Sequence, residues 1–145
     1  MNYLRYGAVF SCVALGAALL IAALNTQVNT TLGSSAQLMV PAMIAALVEG
    51  QQHARHQKRK AGLSAHWRFA WIATALATGL NVALAYLAAP IAPEFGKLAI
   101  APALSGQFVL LLCFYAGGYL ICNWFFFGIG QGNQLSLIHS RGEIE

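Results

Sequence analysis

Aspartate is absent from this chain, and its four acidic residues are all glutamates: Glu49, Glu94, Glu143 and Glu145. Only 8% of the 145 residues are charged, where soluble domains carry roughly a quarter. Water-facing surface needs charge, and this chain has too little to cover a globule. A soluble fold is therefore excluded. Without aspartate there is no Ser-His-Asp set, and no apolar run contains a pair of carboxylates for acid–base work. The three cysteines, Cys12, Cys113 and Cys122, fall in apolar runs without CxxC spacing. They read as small hydrophobes rather than a disulfide framework or a metal site. The expectation is a protein that is not an enzyme and needs no cofactor.

What the chain does have is hydrophobic residues, at 59%, gathered into four runs. At ~1.5 Å per residue, about 20 apolar residues cross the hydrocarbon layer. The first run covers residues 3–24, with Arg5 at its start. A cleaved signal peptide would have a core of about 7–15 residues and a small-x-small site. This run is longer, and Ala22-Ala23-Leu24-Asn25 is a poor site, so a permanent helix is expected. The second run, 34–52, is the shortest in purely apolar residues and contains Pro41. The third, 67–89, has Ser64 as a candidate cap and ends at Pro90 and Pro93. The fourth, 104–127, runs up to Gly128-Ile-Gly130-Gln-Gly132, which is expected to stop it. The fold class is all-α, a single transmembrane domain of four helices.

Charge sets the expected orientation. Arg5, Arg55, Lys58, Arg59, Lys60, Arg68 and Arg141 fall on one side of the bundle, and Lys97 falls on the other. The positive-inside bias then places both termini and the basic loop in the cytoplasm of a bacterial cell, with the chain in its inner membrane. A re-entrant second segment would put the strongest basic cluster on the wrong side. Arg55, Lys58, Arg59 and Lys60 are candidates for contact with anionic lipid headgroups. Trp67, Trp71 and Trp124 fit interfacial anchors, with Tyr119 and the run to Phe127 completing a belt. Asn29-Thr30-Thr31 matches a glycosylation sequon, a pattern common by chance.

Small residues recur at four-residue spacing: Ala14, Ala18 and Ala22; Ala42, Ala46 and Gly50; Ala75, Gly79 and Ala83. Such rows let helices approach closely in lipid. Thr74, Thr78 and Asn81 form a polar stripe on the third run, and Tyr115, Tyr119 and Asn123 form another on the fourth. These stripes are expected to face the bundle interior, as interhelical hydrogen bonds or as a polar path. Glu49, His53 and His56 lie at helical spacing and make a weak metal candidate. Arg55, Lys58, Arg59 and Lys60 would repel a cation, and pairing of Glu49 with Arg55 or Arg68 is the expected alternative.

Glu49-Gly50-Gln51, the basic run, Trp67-Arg68-Phe69 and Asn81 together resemble a family of small, uncharacterised bacterial four-span inner-membrane proteins. The resemblance implies the four-span layout and no activity. Small multidrug transporters differ, because they carry a membrane-embedded glutamate in the first span and this one has no acid there. The leading expectation is an accessory or structural membrane subunit, a homo-oligomer or bound to another membrane protein. A small oligomeric transporter or channel is the alternative. Nothing in the basic cluster calls for nucleic acid.

Overall fold

The computed structural model describes residues 1–27, 36–87, 102 and 105–141. The sequon, Pro90, Pro93, Glu94, Lys97, the two tail glutamates and the side chain of Ala22 lie outside the described residues. Four helices follow in order: α1 (Tyr3–Gln27), α2 (Ala36–Gln57), α3 (Leu63–Leu87) and α4 (Gly106–Ser140). No strand occurs among the described residues. The apolar runs leave backbone groups no partner but their own helix, which is why each folds as α.

Neighbours in sequence run antiparallel. Arg5 at the start of α1 meets Glu49 late in α2, and Phe69 early in α3 stacks on Phe127 of α4 at 4.1 Å between ring centroids. α2 and α4 run parallel, since Gly118 lies against Met39 while Gly130 lies against Leu47 and Gln51. The core is built from small residues on one side and rings on the other. Ala42, Ala45 and Ala46 of α2 are buried, as are Tyr6 and Phe10 of α1 and Tyr119 and Phe127 of α4. Alanines give the rings room to reach the bundle axis, and dispersion contacts then hold the helices together.

Among the described residues, three helices are long and apolar enough to cross a membrane: α1 over Tyr3–Ile21, α3 and α4. The outward surface matches, with Leu4, Leu19, Leu20, Leu110, Phe114 and Ile121 all largely exposed. This is a multi-pass membrane protein. α2 falls short of the same criterion because its last third is polar, from Glu49 through Gln51, Gln52, His53, Arg55, His56 and Gln57.

Several boundaries differ from the sequence reading. α4 passes straight through Gly128, Gly130 and Gly132 and ends at Ser140. Gly130 is spent on close packing rather than on a stop, and the helix there is held by α2. Its start is capped by Ser105, whose hydroxyl accepts from the Phe108 N–H at 3.1 Å. α3 begins one residue before Ser64, so that residue lies within its first turn, and His66 N–H already bonds to the Gly62 carbonyl at 2.9 Å. Tyr119 and Phe127 are not belt residues, because both are fully buried in the core.

Candidate functional site

The two polar stripes come together around one tyrosine that the sequence reading left out. Asn123 of α4 accepts from the Tyr6 hydroxyl of α1 at 2.7 Å, and its amide nitrogen donates to the Thr74 hydroxyl of α3 at 3.3 Å. Three helices are thus joined through one buried amide. In lipid such bonds average about 0.6 kcal/mol each, so their effect is more on register than on total stability. One turn further along, Tyr119 and Thr78 each bury an oxygen without a hydrogen-bond partner, and so does the amide nitrogen of Asn81. Tyr115 is buried in the same core.

Glu49 is only 1% exposed. It pairs neither with Arg55 nor with Arg68. One of its oxygens, Oε2, accepts from Arg5 Nε at 2.9 Å and from Nη2 at 2.8 Å, and the other, Oε1, accepts from the Asn2 backbone N–H at 2.6 Å. The antiparallel α1–α2 pair brings Arg5 to this height, and the α1 N-terminus adds its partial positive charge. Burying a carboxylate here is tolerable because both oxygens are satisfied.

That ion pair forms the floor of a cleft of about 250 Å³ between the start of α1 and the last turns of α2, where Gln52, His53, His56 and Gln57 complete the wall. The guanidinium also rules out the metal arrangement, since Arg5 occupies the carboxylate that His53 and His56 would share. Among the described residues, no group of three His, Cys, Asp or Glu side chains is placed to hold a metal ion. His53 is held below its ordinary pKa, chiefly by partial burial, then by the amino terminus and Arg59, with Glu49 opposing.

The basic loop is short and held. Lys58 turns the chain out of α2 with φ 51, and the Ala61 N–H donates to Gln131 of α4 at 3.0 Å. Arg55 lies apart from the loop cations, beside Gln134 and Arg141 in a cleft between the ends of α2 and α4. On the other side of the bundle Trp67 and Trp124 pack together at 6.0 Å, and His66 bonds the Trp124 carbonyl at 2.7 Å. Trp71 is the most exposed of the three tryptophans at 61%.

The three rows of small residues point in different directions. Ala14 and Ala18 are buried inside, and so are Ala42, Ala46 and Gly50. Ala75, Gly79 and Ala83 are all exposed. Ala75 and Gly79 lie along an apolar groove on the outside of α3 that Ile72, Leu76 and Leu80 flank. Cys12 and Cys113 are exposed and Cys122 is partly covered, all as free thiols.

Neither a family model, nor a curated protein, nor a solved structure matches this chain.

Proposed function

We propose that this protein is a non-enzymatic accessory or structural subunit of a bacterial inner membrane, crossing it four times with both termini in the cytoplasm. It associates with itself or with another membrane protein through the outer face of α3. The observation that carries this reading is the division of labour among the small-residue rows. Two rows are used up inside the bundle, and the third, Ala75-Gly79-Ala83, is turned outward with none of the described residues upon it. In lipid, apolar side chains gain little by leaving the bilayer, so close backbone approach is what favours helix association.

The fourth crossing is supported by packing. α2 runs parallel to α4 from Met39 to Gly50 and packs backbone to backbone against it there, although its own apolar stretch is short. The orientation is supported by the basic residues gathered at one end. Lys58, Arg59, Lys60 and Arg55 sit at that end, where they contact or face anionic headgroups. Tags at residue 1, near Ala61 and after Glu145 test the topology, and all three should report cytoplasm. A periplasmic signal at Ala61 contradicts it.

Gentle-detergent purification tests the association. Wild-type protein should carry a partner chain or a second copy, and Gly79→Leu should lose it while remaining folded. A strictly monomeric wild type contradicts the reading. A second reading, a small oligomeric transporter or channel, draws on the unpartnered polar atoms of Thr78, Asn81 and Tyr119. Its path would follow Thr78, Asn81, Tyr115 and Asn123. Reconstituted flux that Asn81→Leu abolishes would favour it over the accessory role.

A further inference from the structure

We propose that the cleft between the start of α1 and the C-terminal turns of α2 is a binding site for a phosphate group, such as that of an anionic phospholipid of the inner leaflet. The donors converge there from two helices. Arg5 has five N–H donors in a planar fork, of which Nε and Nη2 are engaged on Glu49. Its side chain is nevertheless 34% exposed, whereas Glu49 beneath it is 1% exposed. The carboxylate is therefore shielded and neutralised, and the remaining face of the guanidinium is turned to the cleft. Gln52 and Gln57 supply amide donors to the same wall, and His53 and His56 supply imidazoles.

Electrostatics point the same way. The N-terminus of α1, where the Asn2 side chain already takes the Arg5 N–H, carries a partial positive charge that favours an anion. The chain's amino terminus and Asn2 line the same cleft as Arg5. Like charges left facing one another are relieved when a phosphate shares them.

The height of the cleft suits a lipid headgroup, a point that rests on the membrane placement proposed above. Tyr3 and Tyr6, on either side of Arg5, pack on Phe69. Two residues away, Trp67 meets Trp124, and tryptophans of this kind settle at the interface. Arg5 and the Glu49 pair are therefore level with the headgroups.

Native mass spectrometry in mixed micelles of phosphatidylglycerol and phosphatidylcholine reads lipid retention directly. The wild type should retain phosphatidylglycerol preferentially. His53→Ala/His56→Ala, which removes two imidazole donors from the cleft, should reduce that preference by about fivefold, the loss of roughly one net hydrogen bond. His139→Ala, which removes an exposed imidazole at the end of α4 and outside the cleft, should retain it. Arg5 itself is left intact in this test, because its removal strands the Glu49 carboxylate. The second arm follows the His53 ring resonances in phosphatidylcholine micelles while inorganic phosphate is added. A shift toward the protonated form there, without phosphatidylglycerol preference, assigns the same site to a soluble phosphate. Unmoved resonances together with equal lipid retention in both variants overturn the proposal. The topology tags read the membrane placement separately, so the two failures are distinguishable.

Discussion

Gly50 of α2 and Gly130 of α4 each rest against the other helix's backbone: a Cβ on Gly50 would overlap the Phe127 carbonyl, and a Cβ on Gly130 would overlap the Leu47 carbonyl. The contact is reciprocal, with neither side able to yield by turning a flexible side chain. Gly50→Ala or Gly130→Ala should therefore each cost about 1–3 kcal/mol, the range for overpacking. Gly132, two residues on, has open space where its Cβ would be. Gly132→Ala should stabilise α4 by up to ~1 kcal/mol through helix propensity. Thermal unfolding in mild detergent separates the two signs.

The Arg5–Glu49 pair should respond asymmetrically to substitution. Arg5→Leu leaves a buried charge without its partner and should destabilise the protein by about 3–5 kcal/mol. Glu49→Gln removes the charge and keeps an acceptor for the Asn2 N–H, so it should cost less. Combining the two changes should recover part of the loss from Arg5→Leu. A double-mutant cycle on unfolding temperatures measures the coupling.

Two buried tyrosines on facing helices should behave in opposite ways. Tyr6→Phe removes the donor to Asn123 and should cost about 1 kcal/mol. Tyr119→Phe removes a hydroxyl that has no partner, so it should be neutral or slightly stabilising. Equal losses at both positions would show that Tyr119 is bonded in the membrane.

His53 links stability to pH. Its pKa is lowered in the folded protein, so below about 6.5 the unfolded chain binds the proton more readily than the folded one. Stability should therefore rise with pH through that window and fall as acid protonates His53. His53→Gln should flatten the slope between pH 5 and 7. Melting temperatures across that range give the measurement.

Much of the architecture could be read from composition and periodicity, and the exceptions have physical causes. The helical class followed from runs of apolar residues too long for strands, and the rows at Ala42, Ala46 and Gly50 marked a packing face. The end of α4 was not legible, because a Gly-x-Gly-x-Gly pattern has the same sequence whether it breaks a helix or admits a neighbouring one. Only the presence of α2 decides between them. The partner of Glu49 was hidden for a related reason: Arg5 is 44 residues away, and sequence proximity favoured Arg55. Tyr6 was missed because a single tyrosine near a chain's first charge carries no pattern. The direction of Ala75-Gly79-Ala83 could not be inferred either, since a small-residue stripe looks alike facing inward or outward.

Cysteine cross-linking at Gly79 in native membranes tests the central claim most directly, with Cys12, Cys113 and Cys122 first replaced by serine. Gly79→Cys should form a disulfide-linked or reagent-linked species with a second copy or another membrane protein, and Leu110→Cys on the lipid-facing side of α4 should not. A monomer at Gly79→Cys under oxidising and bifunctional-reagent conditions alike, equal to that at Leu110→Cys, would contradict an association built on the outer face of α3.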